Sequence, residues 1–211
     1  MNLFIFGNPM SGSFSGQQQI NHIVEVCTEK GIPFKLFQTQ RAGELPELMD
    51  KHLQQRNQHT IVVIVGGDGT LNEALQYLKQ QNIFVPLSYL PAGTGNDFSR
   101  EMNLTHHARK FIENLSKNHI IDLEFLTYSE ENSQTTGIIL NSMGFGIDAA
   151  ICEINQKQRQ ALLQAKGIKK ASYLTPIIKA FKERKEFDAL ITLNDGESFT
   201  STKNLLLGAF N

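Results

Sequence analysis

The sequence predicts an N-terminal α/β domain with a mostly parallel sheet, followed by a β-rich second domain that is incomplete. Three observations lead there. Apolar runs of strand length alternate with segments of helical period through the first 100 residues. Residues 60–65 form a continuous, largely β-branched run, the mark of a strand buried on both faces. After about residue 118, strand-like segments follow one another across polar turns.

The elements can be justified in order. Residues 2–6 are apolar, and a Gly/Ser-rich loop follows over 7–16. Residues 17–30 carry helical spacing at Ile20, Ile23, Val24 and Cys27, with Gly31 as the stop signal. Residues 34–37 read as a strand. Leu45, Leu48, Met49 and Leu53 form the apolar stripe of a helix. The strand 60–65, a helix over 71–78 and a strand over 85–90 complete a β-α-β-α-β-α-β order. Short connections in that order imply a parallel sheet covered by helices on both faces.

The second half has a different character. Residues 120–128 and 137–143 read as strands around a polar turn at 129–134. Residues 149–165 and 171–184 are helical. Residues 187–193 and 199–210 form a hairpin around Asn194-Asp195-Gly196-Glu197. The domains expected are 1–118 and 119–211, the second an antiparallel sheet with helices inserted. The sequence stops inside an apolar strand, 205–211, which suggests a missing remainder and exposed strand edges open to pairing with another copy.

Composition narrows the functional classes. Apolar residues are 40% and charged residues 19%, as in a globular protein. The net charge of -1 gives no global basic excess to hold nucleic acid. No apolar stretch approaches the ~18 residues of a membrane helix, and the N-terminus lacks the basic n-region of a secretory signal. Cys27 and Cys152 read as reduced core thiols of a cytoplasmic protein. The charge is unevenly spread: residues 157–185 hold nine bases against one acid, Glu183, leaving the rest of the chain strongly acidic. Lys166, Lys169 and Lys170 cluster near Gly167, and Lys179, Lys182 and Lys185 recur every three residues as a helical stripe. Such a segment is either a solvated face or a docking surface for anionic headgroups or phosphates.

Three Gly-rich loops follow three strands and should meet at the carboxyl edge of the sheet, where such folds bind ligands. Gly66-Gly67-Asp68-Gly69-Thr70 leads from a buried strand into a helix. Its glycines let backbone N–H groups approach an anion, and the helix N-terminus favours one. Asp68 beside phosphates suits a cation or a proton; the alternative is a tight turn with Asp68 as a cap. Pro91-Ala92-Gly93-Thr94-Gly95-Asn96-Asp97 repeats the logic, and Asn8-Pro9-Met10-Ser11-Gly12 adds an amide and a hydroxyl. Together they form a polyphosphate pocket. No Gly-x-x-x-x-Gly-Lys-Ser/Thr occurs, which excludes a P-loop enzyme. Gly144-Phe145-Gly146-Ile147-Asp148-Ala149 matches the dinucleotide pattern without its βαβ context, and lysines stand where the ribose-binding acid belongs. His106 and His107 lack zinc spacing, and no Gly-x-Ser-x-Gly elbow exists.

In order, Asn8-Pro9-x-Ser11-Gly12, Gly66-Gly-Asp-Gly-Thr-Leu-Asn-Glu73 and Pro91-x-Gly-Thr-Gly-Asn-Asp-Phe98 resemble the diacylglycerol kinase catalytic domain family. These are the bacterial soluble lipid kinases, similar to sphingosine and ceramide kinases and more distantly to NAD kinases. The resemblance runs along the whole chain and is strongest through Phe98; the Gly93–Phe98 loop is its lipid-kinase feature. It implies an NAD kinase/diacylglycerol kinase-like fold. It puts Asn8, Pro9, Ser11, Gly12, Thr39, Gly67, Asp68, Gly69, Thr70, Leu71, Asn72, Glu73 and Thr94 on nucleotide-binding positions. It implies that Asp68 meets magnesium through water. It sets Asp97 and Arg100 in the catalytic cleft, and Asp122 as an acid paired with a lysine, for which Lys166 stands nearest. Family members run well past residue 211, with a metal-binding loop and a late Asp-Gly-Glu; the Asp195-Gly196-Glu197 triplet lies in the earlier hairpin and does not take that role.

The expected activity is transfer of the γ-phosphate of Mg-ATP to a lipid hydroxyl such as that of diacylglycerol, by a cytoplasmic protein peripherally associated with an anionic membrane surface. The alternatives are a shortened, inactive nucleotide-binding remnant with a regulatory or oligomerising role, and an NAD kinase-like enzyme.

Overall fold

A computed structural model describes residues 1–115, 117, 120–130, 133–164, 174–192 and 196–210, with the backbone alone for 13, 156, 158–164 and 174–176. The chain divides into two compact units, Met1–Asn141 and Ser142–Asn211.

The first unit is built on four parallel strands, β1 (Asn2–Gly7), β2 (Phe34–Gln38), β3 (Thr60–Gly66) and β4 (Leu87–Pro91), in the order β2-β1-β3-β4. The helices α1 (Ser15–Glu29), α2 (Leu45–Leu53) and α3 (Asp68–Gln80) alternate with them as the periodicity predicts. Strand alternation sorts the core into two faces. Leu3, Ile5, Val63 and Val65 pack with Ile20, Ile23 and Cys27 of α1. Phe4, Phe6, Val62 and Ile64 pack with Met49 and Leu53 of α2 and with Leu71 and Ala74 of α3. A strand buried on both sides must be apolar at every position, which is why its run is continuous rather than alternating.

Two short helices lie outside the β-α order that the periodicity predicts. α4 (Asp97–Glu101) and α5 (Ala108–Leu115) follow β4, and α5 adds Phe111 and Ile112 to the α1 face. α4 has only five residues, too few for a periodic signal, and α5 has eight. The 3-10 turn Ser11–Phe14 also occupies part of the expected first loop. The strand expected over 120–128 begins only at Leu126: β5 (Leu126–Glu130) pairs antiparallel with β6 (Thr135–Ile139), and residues 120–125 have no regular structure. This hairpin, on the far side of the 118/119 boundary drawn from sequence, packs on α3 inside the first unit.

In the second unit, β7 (Ser142–Gly146) leads directly into α6 (Ile147–Gln164), which packs against α7 (Leu174–Lys182). β8 (Phe187–Thr192) pairs antiparallel with β9 (Ser198–Asn204), and β10 (Leu206–Phe210) pairs antiparallel with β7. The run 199–210 is therefore two strands, split at Leu205, whose carbonyl accepts the Ile147 N–H at 2.9 Å. The run 137–143 is likewise split, at Leu140 and Asn141, between two ladders. An unbroken apolar run cannot reveal such a change of partner, because both ladders demand the same residue types. Cys27 is fully buried, but Cys152 is exposed on α6, so only the first is a core thiol. Among the described residues, no helix is long and apolar enough to cross a membrane.

Candidate functional site

The strand order creates a switch point. β1 runs into α1 on one face of the sheet, and its neighbour β3 runs into α3 on the other. The connections therefore diverge at the carboxyl ends of β1 and β3 and leave a crevice between them, the usual ligand position in open α/β sheets.

All three Gly-rich loops meet there. The Asn8 N–H donates to the Val65 carbonyl at 2.8 Å, and the Asn8 amide Nδ2 donates to Thr70 Oγ1 at 3.1 Å. The Gly67 N–H donates to Ser11 Oγ at 3.3 Å. Ser15 Oγ donates to the Ala92 carbonyl at 2.7 Å, and the Ala92 N–H donates to the Gly66 carbonyl at 2.6 Å. Two glycines are required by space. A Cβ on Gly93 would lie 2.6 Å from the Gly67 Cα and 2.7 Å from Asn96 Oδ1. Gly12 has φ +55°, and a Cβ there would lie 2.5 Å from the Ala92 carbonyl oxygen. Bulk at either position would separate the loops.

Asn96 shapes the third loop. It sits in the left-handed region at φ 54°, buried, and its amide closes a two-way bond with Gly93: Nδ2 donates to the Gly93 carbonyl and Oδ1 accepts the Gly93 N–H, both at 2.8 Å. Asn tolerates that conformation better than most residues with a side chain. The chain can then turn directly into α4.

Asp68 lies in the first turn of α3, so the helix starts inside the Gly-rich motif. Its carboxylate does not cap its own helix. Oδ2 accepts the Asp97 N–H at 3.0 Å and Oδ1 accepts the Phe98 N–H at 3.3 Å, so Asp68 caps α4 instead. The Asp68 and Asp97 carboxylates both flank Gly95, each with an oxygen 3.6 Å from where a Gly95 Cβ would stand. Arg100 pairs with Asp97 across one turn of α4. Beneath them the Tyr89 hydroxyl donates to the Gly66 carbonyl at 3.1 Å; burial, and then the charge of Asp68, holds this phenol above its ordinary pKa, so it stays a donor. Burial also raises the Glu73 carboxyl above its usual range.

The structure thus brings Asn8, Ser11, Gly12, Gly67, Asp68, Thr70 and Asp97 together. Pro9 turns the first loop, its carbonyl accepting the Gln17 N–H at 3.2 Å. Thr39 is buried at the end of β2, its N–H on the Gly7 carbonyl at 3.0 Å. Gly69 faces open space, and Thr94 is exposed on the third loop. Leu71 is 1% exposed, so its side chain seats the first turn of α3 in the core. Asn72 and Glu73 follow, half-buried. Asp122 is exposed in the irregular stretch 120–125 and makes no hydrogen bond or ion pair among the described residues. Lys166, with Lys169, Lys170 and Asp195, lies outside the described residues. Ser15, Tyr89 and Asn96 escaped the sequence reading as site residues. Only Asn96 carried a signal, as the residue most tolerant of positive φ after a Gly-Thr-Gly run.

The matching family model is the diacylglycerol kinase catalytic domain, over residues 2–128. A curated protein of Staphylococcus haemolyticus (strain JCSC1435), named "Putative lipid kinase SH2167", is 29% identical over 147 residues, covering 70% of this chain and 44% of its own length. A "Putative lipid kinase" of Staphylococcus carnosus (strain TM300) is 22% identical over 205 residues, covering 96% of this chain and 63% of its own. The chain therefore spans less than two thirds of either relative. The crystal structure of a diacylglycerol kinase from Bacillus anthracis str. Sterne superposes with a TM-score of 0.62 at 22% identity, covering 98% of this chain and 62% of that one, a likeness of fold. Since the family model spans all three loops and more than half of the sequence, the chain belongs to the diacylglycerol kinase catalytic domain family.

Proposed function

We propose that the chain carries the nucleotide site of a lipid kinase, which transfers the γ-phosphate of Mg-ATP to a lipid hydroxyl such as that of diacylglycerol. The observation that carries this reading is the locking of three loops at one sheet edge, with Gly67 held on Ser11, Gly93 packed on Gly67, and Asp68 bonded to the loop beyond. Phosphoryl transfer asks a protein chiefly for positioning and charge stabilisation. The backbone N–H groups at the start of α3 supply donors and the positive end of a helix dipole for the phosphates. Gly69 leaves the approach clear.

Asp68 and Asp97 offer hard carboxylate oxygens beside Gly95, the ligand type that magnesium takes. These residues would hold the ion, whose charge offsets that of the phosphates. Arg100, paired with Asp97, adds a cation beside them. Asp122 and Lys166 are the candidates for a further acid and its partner. The same reading makes the protein a cytoplasmic one acting at an anionic membrane surface, with segment 157–185 supplying the attraction.

Calorimetric titration with ATP, with and without magnesium, tests the site. Transfer of labelled γ-phosphate to diacylglycerol in mixed micelles, with NAD as competing acceptor, tests the chemistry. Magnesium-dependent ATP binding is expected, weakened in Asp68→Asn; a chain that binds no nucleotide overturns the reading.

A further inference from the structure

Helix α7 leaves apolar side chains uncovered. It sets Ala180, 2% exposed, on its packed side, yet Ile177, Ile178 and Phe181 are 37%, 55% and 49% exposed. At about 100° of rotation per residue these three share one arc of the helix, and Lys182 and then Lys179 come next around it. α7 closes at Lys182, so Lys185 follows the helix instead of extending its lysine stripe. Arg184 folds back, its guanidinium donating to the Phe181 carbonyl at 2.7 Å, so its charge stays beside the apolar arc. Lys179 has Glu183 at 4.0 Å, while Lys182 and Lys185 have no ion-pair partner among the described residues.

We infer that α7 is a bilayer-docking element, with Ile177, Ile178 and Phe181 entering the headgroup–acyl boundary of an anionic membrane and Lys179, Lys182, Arg184 and Lys185 remaining at its phosphates. The inference deepens the lipid-kinase reading and rests on it for the choice of a membrane as partner. An apolar arc flanked by cations is what holds a short helix flat in an interface. Long Lys side chains keep their charge in the headgroups while their stems cover apolar surface. A second copy is a poor occupant, since a twofold contact through this face would set the same cations against each other.

The chain has no tryptophan. Phe181→Trp therefore places one fluorophore on the proposed contact, at an exposed position that tolerates it. Vesicles of phosphatidylcholine mixed with an equal amount of phosphatidylglycerol should shift its emission to the blue, and vesicles of phosphatidylcholine alone should do so weakly. Added salt should reverse the shift by screening. Adding Lys179→Gln and Lys182→Gln should weaken vesicle binding about fivefold per lysine, the factor equivalent to ~1 kcal/mol. Emission already blue and indifferent to vesicles would mean that protein covers the face, and would overturn the proposal. Undiminished vesicle binding in the double Gln variant, or a shift produced by soluble RNA and not by vesicles, would also overturn it. A Mg-ATP titration of the same Trp variant separates the two readings. Nucleotide binding without vesicle docking removes the membrane element alone, and docking without nucleotide binding removes the kinase site alone.

Discussion

The side-chain amide of Gln76 holds both backbone groups of Ile138: Nε2 donates to the Ile138 carbonyl at 2.7 Å, and Oε1 accepts the Ile138 N–H at 2.9 Å. A helical side chain thus takes the place of a neighbouring strand along the free edge of β6. Lys79 extends the attachment, its ammonium donating to the Gly137 carbonyl at 3.3 Å. Both residues belong to α3, whose first turn carries Asp68, so one helix joins the loop edge to the β5–β6 hairpin.

Replacing Gln76 tests that attachment. Gln76→Ala leaves a part-buried N–H and carbonyl without partners and should cost about 1–3 kcal/mol. Gln76→Glu keeps the acceptor but removes the donor, and should fall between wild type and Ala. Denaturant unfolding gives the stabilities, and hydrogen exchange at Ile138 shows whether the loss is local to β6.

Asp68→Asn separates capping from chemistry. The change is nearly isosteric but turns one acceptor into a donor facing an α4 N–H, so it should remove about 1 kcal/mol, equivalent to a fall of about 2–4 °C in Tm. The magnesium dependence of ATP binding should fall far more. Thermal melting beside calorimetry distinguishes these; a large loss of stability with unchanged magnesium dependence would leave Asp68 only a cap.

Two glycine substitutions should behave in opposite ways. Gly93→Ala meets the Gly67 backbone and the Asn96 amide, neither of which can yield cheaply, and should destabilise the first unit and open the loops. Gly69→Ala meets nothing within 4 Å and lies in the first turn of α3, so it should stabilise by up to about 1 kcal/mol through helix propensity. On the proposed reading its methyl group nevertheless stands where phosphates would approach the loop, so ATP affinity should drop at least about tenfold, or ~1.4 kcal/mol. A Gly69→Ala protein that gains stability and binds ATP normally would move the phosphates away from this turn.

His52 should make stability depend on pH. Its ring stacks on Phe37 with centroids 4.1 Å apart, and its buried Nδ1 has no hydrogen-bond partner among the described residues. Burial, then the nearby Lys51 and Lys35, lowers its pKa below 6.5. The folded state therefore favours the neutral ring, and the unfolded chain binds the extra proton first. This contribution is complete above pH 6.5 and is lost as pH falls through the lower, folded value. Unfolding at pH 7.5 and 5.5 should show a smaller loss in His52→Phe than in wild type; equal losses would assign the pH dependence to other groups.

Much of the first unit was legible in residue order because its interactions are local or periodic. Gly31 ends α1, the Leu45–Leu53 spacing marks α2, and the continuous run into Gly66 marks a strand covered on both sides. The Gly-rich loops were equally legible, because close approach of one backbone to another, as of Gly93 to Gly67, demands the same small residues wherever it occurs. Short or long-range features were not. α4 is five residues long, and neither Ser15 on Ala92 nor Tyr89 on Gly66 is signalled by its neighbours in sequence. The carboxylate of Asp68 could have capped its own helix or another; only the packing of β3 beside β4, which carries α4 to within hydrogen-bonding reach, decided that it caps the second. Strand partners were decided the same way. Residues 199–210 have the composition of one strand, but the chain changes ladders at Leu205, because pairing energy depends on which edge lies alongside and composition records only that some edge does.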